Sequence, residues 1–353
     1  MNKHQSIPYL ITKSLVPENQ ESPIHFLNKR ITPSHYFYRR NHFTYPSLSP
    51  YNFGIQVSGH VNQARFFHYY EIISMPSVSI TLPLECAGNK RANFTPKVFG
   101  EQWEDGAISQ GKWTGVPLRY LLDSVGVLKE TEEIVFQGAD SGKKENIQGI
   151  VSFERSLPIE KALHPDTIIA YKYNDKPINH KQGFPLRLIV PNWYAMASVK
   201  WLTQIKAITH SFQGPFQTDD YVYYPYEKNN NEASPVTIQN VNSIIQYPQN
   251  LSILNSGTHK VKGLAWTGLG EITKVEISFD NGNSWKSTPL YPLSKQKYSW
   301  TEWFYTWTEE KKGEYSIHVR ATDSSGRTQP LETLWNRKGY GYNEITKIKV
   351  KIE

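Results

Sequence analysis

Hydrophobic and polar positions alternate in short runs along this chain, and the runs predict its elements. Phe53 to Val57 and Ser77 to Leu82 read as strands, the second alternating with period two. Leu118-Arg-Tyr-Leu-Leu-Asp-Ser-Val125 has the apolar spacing of a helix face, and Gly126 supplies its stop. Phe153 to Ala162 is expected as another short helix. Leu186 to Val190, set between Pro185 and Pro191, is expected as a buried strand. Farther on the pattern becomes purely β. Lys260 to Gly263, Thr273 to Phe279 and Glu314 to Ala321 alternate, turns fall at Asp280-Asn-Gly282 and Asp323-Ser-Ser-Gly326, and Ile345 to Ile352 closes the series.

Two polar segments divide the pattern. Residues 1–35 carry Pro8, Pro17, Pro23 and Pro33 and predict an extended arm over the surface. Glu227 to Pro235, with Asn229, Asn230 and Asn231 in a row, has linker chemistry: polar, turn-prone and unable to bury itself. The expected class is α+β. A mixed α/β domain spans 36–228, a linker 229–235, and an all-β immunoglobulin-like sandwich 236–353. No internal repeat is visible.

Composition changes the picture in three ways. Hydrophobic residues make up only 38%, but aromatics reach 13%, and large rings bury enough area for a packed globular chain. The net charge of +7 suggests an anionic partner, or simply a basic protein. A single cysteine excludes a disulfide framework, a Cys-rich zinc site and an iron–sulfur cluster carried by this chain. No apolar run of about 18 residues occurs, and none follows Lys3 near the start. A cytoplasmic location is therefore expected, unless an export signal was removed before the numbering begins.

Two clusters carry chemistry. Leu84-Glu-Cys-Ala-Gly-Asn-Lys-Arg91 follows a predicted strand, so Cys86 sits at a strand-to-loop boundary with little bulk beside it. Its sulfur suits a thiophilic metal, and Lys90 and Arg91 are expected to favour the thiolate. A lone buried cysteine acting as a small hydrophobe fits the same residues. In His35-Tyr-Phe-Tyr-Arg-Arg-Asn-His42, the arginine forks suit oxyanions and phosphate, though a solvated basic strand edge fits too. His35 and His42 lack partners at zinc spacing.

Taken in order, these clusters resemble the sulfite oxidase family. The resemblance runs through Arg40-Asn41-His42, Cys86-Ala-Gly-Asn-Lys-Arg91, Trp103 with Gly106-Ala-Ile-Ser109, and Trp113. It continues through Gly183-Phe-Pro-Leu-Arg187, Ser198-Val-Lys-Trp201 and Trp335-Asn336, from about Tyr36 to the C-terminus. It implies a molybdopterin-binding domain followed by a dimerisation domain, of the bacterial type without a haem domain. Cys86 would be the metal ligand to a molybdenum–molybdopterin cofactor. Arg40, Asn41, His42, Asp140, Gln182, Arg187, Ser198 and Lys200 would bind the cofactor. Arg40, Arg91, Trp103, Tyr221 and Lys338 would form the catalytic pocket. Tyr221, in Thr218-Asp-Asp-Tyr221, takes the place of the family's active-site tyrosine, although an ordinary interface aromatic also fits that run.

Two positions depart from the family pattern. Gln182 replaces its histidine, and Lys338 takes the place of its arginine after the Trp-Asn pair. Lysine keeps the charge but loses the bidentate fork. The resemblance implies oxygen-atom transfer, with oxidation of sulfite to sulfate as the leading reading. It also implies a small anionic substrate, an external electron acceptor such as a cytochrome, and a homodimer, with no nucleic acid and no membrane as partners. The alternatives are a molybdenum-dependent reductase of an S-oxide, N-oxide or nitrate and, more distantly, a non-enzymatic anion- or nucleic-acid-binding protein.

Overall fold

The computed structural model of the chain describes residues 9–27, 30–224, 233–292 and 297–353. The N-terminal arm, beyond residues 1–8 that lie outside this description, is not a loose surface segment. Strands β1 (Ile11–Leu15) and β2 (Glu18–Glu21) pair antiparallel, and Asn19, Glu21 and Ser22 are buried. The prolines remove backbone donors, but those between them find partners. Gln20 and Arg39 exchange backbone hydrogen bonds, and Ser22 N donates to Gly106 O at 2.8 Å.

The first domain continues through β3 (Gly54–Gly59), β4 (Arg65–His68), α1 (Tyr69–Ser74) and β5 (Val78–Glu85). Then come β6 (Ile108–Pro117), α2 (Leu118–Val125), β7 (Glu133–Gly142), β8 (Val151–Pro158) and α3 (Ile159–Ala162). Strands β9 (Ile168–Tyr173), β10 (Lys176–Pro177), β11 (Arg187–Ile189) and β12 (Leu202–Ile208), with helix α4 (Pro215–Thr218), complete it. Among the described residues these strands form two five-stranded sheets. One has the order β10-β9-β6-β5, with β11 also on β9; the other has the order β4-β3-β12-β7-β8.

Helix α2 has the expected bounds. Leu118, Leu121, Leu122 and Val125 are buried on one face, and Gly126 takes φ +65° at the cap. They pack with Ile55 and Val57 of β3, Ile134 and Phe136 of β7, and Leu202 and Ile205 of β12. The segment Phe153 to Ala162 differs from expectation. It is mainly strand β8, paired with β7, and only Ile159 to Ala162 is helical. Phe153, Arg155 and Leu157 all face inward, a period of two that the arginine disguised.

Short strands β13 (Val222–Tyr223) and β14 (Ser234–Pro235) pair across the expected linker, whose residues 229–232 lie outside the described residues. The second domain is the expected sandwich. Its strands are β15 (Asn242–Tyr247), β16 (Ser252–Leu254), β17 (Gly257–Trp266), β18 (Ile272–Ser278) and β19 (Lys286–Ser287), then β20 (Leu290–Pro292), β21 (Thr301–Glu309), β22 (Gly313–Asp323) and β23 (Thr346–Ile352). Sheets ordered β15-β17-β21-β20 and β16-β23-β22-β18-β19 enclose Val261, Val275, Ile277, Trp303, Ile317 and Val319. No helix among the described residues is long and apolar enough to cross a membrane.

The two domains meet through buried polar contacts near Cys86. Lys90 Nζ donates to Asn242 Oδ1 at 2.8 Å, Ser243 O at 2.7 Å and Thr346 Oγ1 at 3.3 Å. Trp266 Nε1 donates to Glu85 Oε2 at 2.9 Å, and Gly341 N to Ala87 O at 2.8 Å. Removing this buried cation takes a hydrogen bond from each of three acceptors, although Ser243 N still donates to Asn242 Oδ1 and Thr346 Oγ1 to Ser243 O, and it empties the space its stem fills. Lys90→Ala should therefore destabilise the protein by roughly 3 kcal/mol in denaturant unfolding followed by tryptophan fluorescence; an unchanged midpoint contradicts this role.

Candidate active site

Strand β5 delivers Cys86 to the edge of a cleft. Ile80, Leu82 and Leu84 bury the strand, and Cys86 N donates to Ala107 O at 2.9 Å, which fixes the thiol's departure point. The chain then turns: Asn89 N donates to Cys86 O, and Lys90 adopts φ +64°. That left-handed residue sends the lysine away from Cys86 to the second domain, so Lys90 does not act as the neighbouring cation expected from sequence. Burial pushes the Cys86 thiol up, while Arg40 and Arg91 pull it back toward the thiolate.

The cleft has a cavity volume of about 60 Å³. Its wall includes Cys86 and nine other residues anticipated from sequence: Arg40, Asn41 and His42; Asp140; Gln182 and Arg187; Ser198 and Lys200; and Tyr221. They come from separate parts of the first domain. The β7–β8 register slips between Gln137 and Ser141, so Asp140 lies in a bulge and leaves the regular ladder. Lys200 lies two residues before the start of β12, which pairs with β7.

The wall is strongly cationic. Lys200 Nζ donates to Arg40 O at 3.0 Å and to Asn41 Oδ1. Burial lowers its pKa, with Asp140 opposing and Arg187 and Arg40 adding to the shift. Burial in turn raises the pKa of Asp140, against the pull of Lys200. Arg187 Nη1 donates to Gln182 O at 3.0 Å, and burial brings its pKa down to about 10. Arg187 Nε and Asp140 Oδ1 are buried without a hydrogen-bond partner among the described residues. An unfilled donor and an unfilled acceptor on one wall suit a ligand that carries both kinds of group.

The tyrosine end is a tight cluster. His42 Nε2 lies 2.7 Å from the Tyr221 hydroxyl, and the imidazole packs against both Phe153 and Phe216. Burial holds the pKa of His42 well below its usual value, and Arg40, Lys200, Lys144 and Arg155 add to the effect. The ring is therefore neutral. Tyr221 has φ +57°, an uncommon conformation for a bulky residue. Its ring stacks on Tyr340 of the second domain, with centroids 5.2 Å apart.

Three anticipated pocket residues stand elsewhere, because a motif fixes a residue's position but not its side-chain direction. Arg91 is a buried strut: Nε donates to Lys338 O and Gly339 O, both at 3.2 Å, and Nη1 to Glu101 O at 3.0 Å. A Cβ on Gly88 would lie 2.5 Å from Arg91 Nη2, so the glycine makes room for the guanidinium. Trp103 is fully buried in the core cluster that includes Cys86, behind the cleft wall. Lys338 is bound to Asp220 at 3.1 Å and does not reach the cleft. Gln182 does line the cleft, but both ends of its amide are engaged by Ser34.

Sequence reasoning missed Arg155 and Tyr340. Arg155 is buried under Tyr221, with its Cζ 5.4 Å from the ring centroid. Its signal was an arginine at an inward position of an alternating strand. Tyr340, between Gly339 and Gly341, offered no comparable signal. A wider groove between the domains, lined in part by Tyr223, Asn240, Trp335 and Asn336, holds no thiol, and its Arg327 is paired with Asp323. Chemistry therefore favours the Cys86 cleft over the larger space.

Comparison with known proteins agrees with this architecture. Residues 42–216 match the family described as "Oxidoreductase molybdopterin binding domain", and residues 234–353 match "Mo-co oxidoreductase dimerisation domain". The chain is 32% identical to the mitochondrial sulfite oxidase of Drosophila melanogaster, an alignment covering 95% of this chain and 62% of that protein. It is 30% identical to the sulfite oxidase of Gallus gallus, covering 94% of this chain and 76% of that protein. Among solved structures, the sulfane dehydrogenase SoxCD of Paracoccus pantotrophus superposes with a TM-score of 0.84 at 25% identity. That match covers 96% of this chain and 86% of the other. The chain thus spans less than two thirds of the fly relative's length.

The neutral imidazole makes a testable link to stability. His42 in the unfolded chain protonates near pH 6.5, whereas in the fold its pKa lies well below that. Below about pH 6.5 the unfolded state binds the extra proton, so stability falls as pH falls through that window. His42→Gln should flatten this part of the profile in denaturant unfolding from pH 7.5 down to about pH 5. An identical slope in the two proteins contradicts the assignment.

Proposed function

The chain belongs to the sulfite oxidase family of molybdopterin oxidoreductases, and from that premise we propose that it oxidises sulfite to sulfate by oxygen-atom transfer, passing two electrons to a separate acceptor. The observation that carries this reading is the convergence of Cys86 with Arg40, Arg187, Lys200 and Tyr221 on one cleft. The wall fits a molybdopterin. Cys86 offers a soft thiolate ligand, Asp140 Oδ1 and Arg187 Nε offer unfilled polar atoms, and the cations suit a phosphate. When bound, the molybdenum cofactor supplies the two-electron redox and oxygen-transfer chemistry.

The chain's own residues bind and orient. Asn41, Asp140, Arg187, Ser198 and Lys200 would hold the pterin and its phosphate, and Gln182 would contribute a wall braced by Ser34. Arg40 would attract the sulfite dianion toward Cys86. The Tyr221 hydroxyl, now at His42, would donate to an oxyanion oxygen and fix its orientation. Neutral His42 takes part in that hydrogen bond without adding a further cation beside Arg40. The second domain, by its family match, would join two copies of the chain as a homodimer.

One observation favours a second reading. With Lys338 held on Asp220 and Arg91 on backbone carbonyls, the cleft has two cations fewer than the resemblance implied. A less cationic pocket suits a neutral S-oxide better than a dianion, which is the reductase reading. Sulfite oxidation with ferricyanide, set against S-oxide reduction with reduced viologen, separates the two.

Two variants test the site. Cys86→Ser should abolish sulfite turnover while leaving the far-UV circular dichroism unchanged; full activity in that variant refutes the ligand role. Arg40→Met should lower kcat/KM for sulfite about 100-fold. Steady-state kinetics giving a loss of twofold or less would remove Arg40 from the substrate pocket.

A further inference from the structure

One buried cation near the cleft has no part in the chemistry above. Arg155 projects inward from β8 and is 1% exposed. Its Nη1 donates to Phe216 O, while Nε and Nη2 have no hydrogen-bond partner among the described residues. Burial brings its pKa down to about 10, so it stays charged at neutral pH. Among the described residues no carboxylate lies within ion-pair distance of it. Buried arginines are seldom left so poorly satisfied, which directs attention to the contact that Arg155 does make.

That contact is aromatic. The Arg155 guanidinium lies 5.4 Å from the Tyr221 ring centroid. Tyr221 stacks on Tyr340 at 5.2 Å with 23° between the planes, and Arg91 lies 5.1 Å from the Tyr340 centroid. Arg155, Tyr221, Tyr340 and Arg91 thus form a chain of ring-face contacts. It runs from β8, through a loop of the second domain, to the turn that follows Cys86. Neither Arg155 nor Tyr340 lines the cleft; Tyr221 does. The left-handed backbone of Tyr221 is unfavourable on its own, so its ring needs holding from the side.

We propose that Arg155 and Tyr340 are positioning residues that clamp the Tyr221 ring, keep its hydroxyl at the cleft, and strengthen oxyanion binding through that hydroxyl alone. The inference rests on the cleft being an oxyanion site. It adds two residues that act without touching the anion, one of them supplied by the second domain.

A double-mutant cycle on the holoenzyme tests it, with sulfate as the non-reacting oxyanion and affinity read by isothermal titration calorimetry. Arg155→Met should weaken sulfate binding about tenfold when Tyr221 is present and by less than about twofold in a Tyr221→Phe background. Tyr340→Leu should behave the same way, and Arg155→Lys, which keeps the charge, should recover most of the loss. An equal loss in both backgrounds, or no loss in either, overturns the proposal. If Arg155→Met does not fold, the Tyr340→Leu cycle decides by the same criterion. A wild-type holoenzyme that binds no sulfate also overturns it. One that binds sulfate with the expected coupling but does not oxidise sulfite sinks the functional reading alone.

Discussion

The organisation of the site depends on keeping cations out of bulk water around a thiol. Arg40, Arg187 and Lys200 line the cleft, Arg155 lies behind it, and among the described residues the wall carries one carboxylate, Asp140. Burial of an unbalanced ion costs several kcal/mol even after relaxation. We read a fold that retains several such groups as one arranged for an anionic occupant. The shifts fit this view: burial lowers Lys200, Arg187 and Arg155 toward neutrality and raises Asp140, the direction each takes when its charge is not fully balanced.

The second domain takes part in this arrangement. Its backbone meets the cysteine loop at Ala87, its carbonyls at Lys338 and Gly339 hold Arg91, and its Tyr340 covers Tyr221. Lys90 closes the interface from the other side. Cys86 and Tyr221 therefore belong to the first domain in sequence, but their surroundings are shared. A change at the domain interface should be felt at the cleft.

Much of this was legible in the sequence, for identifiable reasons. Helix α2 announced itself through apolar spacing and Gly126, and the sandwich strands through alternation and turns. The cleft residues came from motifs in a fixed order, and ten of the anticipated site residues do share one wall. Side-chain direction was not legible. Lys90 was read as a partner of Cys86, but its left-handed backbone turns it to the other domain. Arg91, Trp103 and Lys338 each satisfy a carbonyl, a core or a carboxylate outside the cleft. Arg155 was hidden because Phe153 to Ala162 was read with helical rather than strand periodicity. Tyr340 was hidden because stacking between domains leaves no local pattern.

The most direct measurement is elemental and pterin analysis of the protein purified from a host that makes the molybdenum cofactor. The account predicts about one molybdenum and one extractable molybdopterin per chain, as expected if the Cys86 cleft is a cofactor site. Protein that is folded yet carries neither would contradict it.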